Sequence, residues 1–168
     1  MTKGYDGASL NELAEASGLK KASLYHRFPE GKKEIAAAVL TYVNEWVHEN
    51  IYIILVNASI LPTERLEKAL QNIDTLYNGG ENSCIIRAMS LDSGLEIFGE
   101  QIKQTLQLWI DGFTALGLSI GFTKEIATEK AFQTLINIQG SLVIAKGLGS
   151  KNVFQMSLKA IEKIYLER

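Results

Sequence analysis

The chain has 168 residues, of which 46% are hydrophobic and 21% are charged, and its formal net charge is -2. This composition is typical of a globular protein with a core, and the slight negative charge argues against a protein that coats nucleic acid indiscriminately. The single cysteine excludes an intramolecular disulfide framework, and Cys and His do not have the spacing of a zinc site. The longest apolar run, at 51–56, is too short to span a membrane, and the first residues do not form a signal peptide. A cytoplasmic protein without metal or cofactor is therefore expected.

Two short helices joined by a tight turn are predicted near the start of the chain. Ser9 and Glu12 have the spacing of a capping box, which predicts a helix from Leu10. Gly18 can adopt the left-handed backbone that ends a helix, so the chain turns there. A second helix follows from Lys20. This arrangement is the outline of a helix-turn-helix that reads DNA.

The outer face of the second helix carries the residue types that a major-groove helix needs. Leu24 and Phe28 are expected on its inner face. Lysines neutralise phosphates, while hydroxyls and imidazole can form hydrogen bonds with phosphates or base edges. The segment from Lys20 to Lys33 has a net charge of +4, which leaves -6 for the rest of the chain. A solvated helical face would also carry such residues, but the turn and the cap favour DNA contact. The expected DNA-binding residues are Lys20, Lys21, Ser23, Tyr25, His26 and Lys32.

Beyond residue 32 the apolar spacing is almost wholly helical. Helices are predicted at about 32–56, 62–77, 95–116, 124–146 and 153–166. The segment 84–91 has no clear period, and Gly117 and Gly121 are expected to end the helix before them. The predicted fold is therefore all-α, with a helix-turn-helix domain at 1–45 and a larger helical domain at 46–168.

The larger predicted domain has more apolar surface than one helix face can bury. The helix at 124–146 is apolar nearly all round, so one face can meet its own core and another a second subunit. A mostly apolar cavity with a few amides would suit a flat hydrophobic ligand, although aromatic residues at helical spacing are more often simply core. The candidate lining residues are Phe98, Ile102, Trp109, Phe113, Ile136 and Gln139.

The string LYHRFPEGKKEIAAAVL, at 24–40, resembles the TetR-type one-component repressors, in which Leu-Tyr-His-x-Phe precedes a lysine that opens a long helix. The resemblance is dense over 4–42. It implies that Tyr25 and His26 contact DNA and that Lys32 contacts a phosphate. It also implies an effector-binding domain and a homodimer formed by the last two long helices. Asn82–Ile86 and Gln139–Leu142 are similar to the branch of the family that responds to drugs or plant flavonoids.

The chain departs from that family in two places. Only three residues precede Gly4, where the family has a first helix, and Lys20 stands where many relatives carry a Ser or Thr cap. Without the first helix, four inner residues are expected to lack a packing partner, namely Leu10, Leu13, Leu24 and Ile35.

Two functions remain open at this stage. The leading interpretation is a repressor that a small apolar effector releases from its DNA operator. The alternative is a helical dimeric module that binds small molecules or a protein partner and does not bind DNA, because the first helix is missing. No nucleophile elbow, phosphate loop or metal motif is present in the sequence, so no catalytic residue and no enzyme activity are expected.

Overall fold

The computed structural model describes residues 4–167, and every regular element among them is a helix, which confirms the all-α prediction. The helices are α1 (Gly4–Gly7), α2 (Leu10–Ser17), α3 (Lys21–Arg27), α4 (Lys32–Val47), α5 (Ile53–Val56), α6 (Pro62–Leu76), α7 (Ile85–Met89), α8 (Ser93–Ile120), α9 (Lys124–Leu148) and α10 (Asn152–Leu166). None of these described helices is both long and apolar enough to cross a membrane. The expectation about the segment before Gly4 concerns Met1, Thr2 and Lys3, which lie outside the described residues.

The chain divides into two compact units. The smaller unit contains residues 1–44 and 85–104, and the larger unit contains residues 45–84 and 105–168. The second segment of the smaller unit lies outside the predicted 1–45 domain.

Local chemistry sets both ends of α2. Ser9 Oγ accepts a hydrogen bond from the Glu12 N–H at 3.3 Å, and the Ser9 N–H donates to Glu12 Oε2 at 3.0 Å, which completes the capping box. At the other end Gly18 has φ 68°, a left-handed conformation that costs glycine little. The predicted helix start at Leu10 and the turn at Gly18 are therefore confirmed.

The smaller unit also contains an apolar pocket of about 360 Å³ between α1, α2, α4 and α7. Leu13 and Ile35, two of the residues expected to lack a packing partner, line this pocket and are half-buried, and Leu10 is half-buried as well. Leu24 differs from them. Its side chain is only 6% exposed, so Leu24 is buried by other residues of the chain.

In the larger unit, α8 extends beyond its predicted end. Gly117 lies inside the helix, which continues to Ile120 and is followed by Gly121 at φ 100°. A Cβ at Gly117 would lie 2.8 Å from the Cβ of Ala127, so the absent side chain allows α8 to approach α9 closely. The prediction that Gly117 ends the helix is wrong because this glycine is a packing residue, whereas Gly121 does follow the helix end.

Other predicted elements are present with local differences. The helix predicted at 32–56 contains a π-helical turn at His48–Tyr52, where the Ile53 N–H donates to the carbonyl of His48. The segment 84–91, which has no clear period, contains the short helix α7. Helix α6 begins with Pro62 in its first turn, as predicted.

The core of the larger unit lies where α9 and α10 pack together. Thr123 caps α9, since its Oγ1 accepts a hydrogen bond from the Ile126 N–H at 3.3 Å, which confirms the predicted cap. The rings of Phe113 and Tyr165, both fully buried, have centroids 5.8 Å apart. Burial raises the pKa of Tyr165 to about 12, although a hydrogen bond with Thr134 lowers it in part.

Candidate nucleic-acid interface

Helix α3 holds its polar face in solvent and its apolar face against α2. Lys20, Lys21, Ser23 and His26 are exposed, and the Tyr25 side chain is 46% exposed. On the opposite side, the buried Leu24 anchors the helix. The structure therefore leaves these five predicted contact residues exposed to solvent, and their contact with DNA stays a prediction.

The start of α3 is weakly capped. Lys20 occupies the N-cap position with extended backbone, and its side chain forms no capping hydrogen bond. The sequence predicts this loss, because lysine has no side-chain acceptor for a backbone N–H. The Lys20 side chain therefore does not contribute to the N-terminal cap of α3.

The turn after α3 sets the position of the Tyr25 ring. Gly31 has φ 68°, and a Cβ there would lie 3.6 Å from Tyr25 Cε1 and 3.4 Å from Leu10 Cδ1. Glycine thus provides both the turn and the space beside the ring. The ring edge packs on the turn while nearly half of the residue stays accessible.

Lys32, at the start of α4, is in a different environment from the other predicted contacts. Its Nζ donates a hydrogen bond to the Tyr5 carbonyl at 3.0 Å and lies 4.4 Å from the centroid of the Tyr5 ring. The same residue, Tyr5, packs edge to face on Phe98 with centroids 5.3 Å apart. Lys32 therefore has a structural role in the smaller unit, and its contact with a phosphate stays a prediction.

Arg27 is a candidate contact that the sequence reasoning did not select. It lies in the last turn of α3, is exposed, and lines a surface depression together with Ala22, Ser23 and His26. The signal for it was present in the sequence, since Arg27 contributes to the local charge of +4. Its guanidinium can form two parallel hydrogen bonds with a phosphate or a guanine edge.

The six predicted pocket residues do not lie in one unit. Phe98 and Ile102 belong to the smaller unit, and the other four belong to the larger unit. Within the larger unit, Trp109 and Phe113 are buried with their rings stacked at a centroid distance of 6.3 Å. Ile136, by contrast, is 68% exposed. Gln139, the sixth residue, is considered next with its polar neighbours.

A buried polar cluster around Gln139 was also missed from the sequence. Burial raises the pKa of Tyr77 well above its ordinary value, the neighbouring Cys84 raises it further, and a hydrogen bond with Gln139 lowers it. The Gln139 Oε1 is buried and, among the residues that the structure describes, has no hydrogen-bond partner. An unsatisfied buried acceptor of this kind can bind a donor on a ligand.

The described residues contain no group of three or more His, Cys, Asp or Glu side chains that could hold a metal ion. The two histidines belong to different units. His26 is on α3, and His48 is in the π-helical turn, where its ring stacks on that of Tyr52.

Comparison with known proteins points to one family. Residues 1–39 match the family described as bacterial regulatory proteins, tetR family. The uncharacterized HTH-type transcriptional regulator YxaF of Bacillus subtilis (strain 168) is 28% identical over 149 residues, which cover 85% of this chain and 76% of that protein. The HTH-type transcriptional regulator LmrA of the same organism is 29% identical over 80 residues, or 48% of this chain and 42% of that protein.

Two solved structures share the fold. A TetR transcriptional regulator from Legionella pneumophila superposes with a TM-score of 0.78 at 23% identity, covering 96% of this chain and 88% of that chain. The regulatory protein TetR from Rhodobacter sphaeroides superposes with a TM-score of 0.79 at 16% identity, covering 98% of this chain and 92% of that chain. The chain therefore resembles the tetR family of bacterial regulatory proteins over residues 1–39, which include its helix-turn-helix, and it shares the fold of these two regulators.

Proposed function

We propose that this regulator is a cytoplasmic repressor that binds a palindromic operator as a homodimer and leaves it when a small apolar effector binds. The observation that carries the DNA-binding part is the exposed polar face of α3 above the buried Leu24. The proposed contacts between α3 and DNA are of two kinds. Lys20, Lys21 and Arg27 supply phosphate contacts, while Ser23, Tyr25 and His26 reach phosphates and base edges.

A stripe on α9 supports the homodimer. Exposed apolar residues and glycines recur on one side of this helix, namely Phe132, Ile136, Gly140, Val143 and Gly147. A Cβ at either glycine would meet nothing within 4 Å, so another helix can approach the backbone closely there. Helix α9 is apolar on its inner side as well, and a helix of this kind needs cover on both sides. A second copy of the same stripe provides that cover and presents two α3 helices to two half-sites.

The dimer has a direct test. Ile136→Lys places a charge on the stripe, so we expect the protein to sediment as a monomer in analytical ultracentrifugation. The control is Ile53→Lys, which changes another exposed isoleucine, on α5, and should leave the dimer intact. An Ile136→Lys protein that stays dimeric at the same concentration would contradict the proposed interface.

The effector is proposed to bind in the larger unit. The buried Gln139 Oε1 supplies an acceptor, and the aromatic residues Trp109 and Phe113 lie in the same unit. Phe98 and Ile102 belong to the smaller unit and Ile136 lies on the exposed stripe of α9, so the contact of these three residues with an effector stays a prediction. The effector must bind the DNA-free conformation more tightly than the DNA-bound one, since equal affinity for both would shift nothing.

DNA binding is tested by fluorescence anisotropy with a labelled duplex from upstream of the regulator's own gene, against a scrambled duplex of equal length. We expect sequence-selective binding that weakens with salt. Lys21→Ala should weaken binding to both duplexes and lower the salt slope by about one per subunit. Lys68→Ala, which removes an exposed lysine of the larger unit, is the matched control and should bind as the wild type does.

The two functional candidates give different results in this assay. Addition of quercetin, a flat hydrophobic flavonoid, should raise the apparent Kd for the operator, and Gln139→Ala should reduce that effect without changing DNA affinity. Binding of quercetin to a dimer that shows no selectivity between duplexes would instead favour a small-molecule-binding module. No binding to either duplex at low salt would refute the repressor.

A further inference from the structure

Arg65 is a buried cation in the larger unit that the DNA-binding function does not use. It lies in the first turn of α6 and is only 5% exposed. Its Nη1 donates to the Leu55 carbonyl at 2.8 Å, and its Nη2 donates to Ser119 Oγ at 2.8 Å. Its Nε is buried and, within the described part of the chain, has no hydrogen-bond partner. No described carboxylate oxygen lies within 4.0 Å of the guanidinium.

Two neutral acceptors do not balance this charge. The Leu55 carbonyl lies near the end of α5, so Arg65 caps that helix, and such a cap accounts for one donor. A buried charge is nevertheless costly unless an opposite charge or further hydrogen bonds compensate it. The unpartnered Nε–H lies on the guanidinium edge that it shares with one N–H of Nη2, and such an edge can match the two oxygens of a carboxylate.

Arg65 is also part of the wall of a pocket. The pocket has a volume of about 500 Å³, and its polar lining consists of Arg65, Ser59 and Ser119. Its other walls are apolar and include Val56, Ile60, Leu61, Pro62 and Ala115. None of the described residues that line it is acidic. One buried positive charge among apolar walls is suited to a molecule with one negative charge and an apolar body.

The start of α6 adds to the positive character of this pocket. Leu61 is the N-cap residue and forms no side-chain hydrogen bond, so the first turn of a 15-residue helix lacks a capping side chain. Unpaired N–H groups and the helix dipole favour an anion at such an end. Pro62 and Leu61, which belong to this end, line the same pocket as Arg65.

We infer that the pocket formed by the start of α6, the loop before it and the end of α8 binds a small monocarboxylate with an apolar body, paired with Arg65. This site is independent of the proposed repressor function, because it requires neither DNA binding nor the Gln139 region. A purely structural Arg65 would stabilise the fold and bind nothing.

The test uses three probes of equal chain length with the whole protein in isothermal titration calorimetry at pH 7. Octanoate should bind saturably, with one site per chain, while 1-octanol and octylammonium should bind at least tenfold more weakly. Inorganic phosphate is the fourth probe and should not compete with octanoate. Equal binding of octanoate and octanol, or full competition by phosphate, would overturn the inference in favour of an apolar or a general anion site.

Two variants and a control assign the binding to this pocket. Arg65→Met should lower the octanoate affinity at least tenfold, whereas Arg87→Met, which removes an exposed arginine of the smaller unit, should leave it unchanged. If Arg65→Met does not fold, Ala58→Trp tests the inference instead, because Ala58 is exposed and lines the pocket. Its indole should block the pocket without disturbing the core, so octanoate binding of wild-type strength by Ala58→Trp would contradict the inference.

Discussion

Replacing Lys32 by methionine tests whether this residue both holds the smaller unit together and contacts DNA. Methionine keeps most of the apolar stem but loses the charge. The folded protein loses one charged hydrogen bond to the Tyr5 carbonyl and one cation–π contact with the Tyr5 ring. A charged hydrogen bond contributes roughly 1.5–3 kcal/mol and a cation–π contact about 0.5–2 kcal/mol, and the partial exposure of Lys32 places the sum near the lower limit. We therefore expect the free energy of unfolding to fall by about 2 kcal/mol.

The DNA contact has a separate readout. Each phosphate contact contributes about 0.9 to the slope of log K against log salt, so a dimer that loses one contact per subunit should lose nearly 2 from that slope. Urea unfolding gives the stability and anisotropy titrations at several salt concentrations give the slope. Lys33→Met, a change in the exposed neighbouring residue, should alter stability by no more than about 0.5 kcal/mol. An unchanged slope in Lys32→Met, together with the loss of stability, would show that Lys32 is a structural residue and would refute its phosphate contact.

Three further predictions concern the cap of α2, the contact between α8 and α9, and the ionisation of the buried Tyr165. Ser9→Ala removes the capping box and should lower the free energy of unfolding by about 1 kcal/mol in urea titrations. Gly117→Ala should lower the melting temperature despite the higher helix propensity of alanine, because the new Cβ would lie 2.8 Å from the Cβ of Ala127. The control is Gly99→Ala in the same helix, where the nearest atom lies 4.0 Å from the new Cβ, and this change should raise the melting temperature. Since Tyr165 has a folded-state pKa of about 12 against 10.0 for an ordinary tyrosine, only the unfolded chain ionises between these values, so stability falls as pH rises from 10 to 12. Tyr165→Phe should flatten that decline, measured by urea titration across this pH range.

Local chemistry was the part of the fold that the sequence predicted best. The capping box at Ser9, the left-handed turn at Gly18 and the cap at Thr123 each depend on residues within a few positions, so the spacing alone was sufficient. Gly117 was misinterpreted because its role depends on Ala127, which lies on another helix. A glycine that ends a helix and one that permits close packing look the same in a sequence.

Of the predicted sites, the sequence could indicate the exposed face of α3 but not the residues that form a pocket. Periodicity correctly separated the exposed face of α3 from Leu24, because one helix face determines both. Periodicity cannot distinguish a packed core from a cavity, and the stripe that includes Trp109 and Phe113 is a stacked core pair in the structure. Arg65 could not be selected either, since nothing in its sequence neighbourhood indicates that a guanidinium so close to a helix start is buried.

The exposed apolar stripe of α9 links the proposed homodimer to the proposed recognition of DNA. Its inner side is used by the core, with Ile138 and Ala131 fully buried, while Ile136 on the other side is 68% exposed. Each such side chain gains roughly 1.5–3 kcal/mol on full burial, so a stripe of several makes self-association favourable only if the partner surface is equally apolar. The same stripe on a second copy meets that condition by symmetry. If Ile136→Lys yields a monomer, its affinity for a full palindrome should fall to that for a single half-site, because a lone α3 can read only one half.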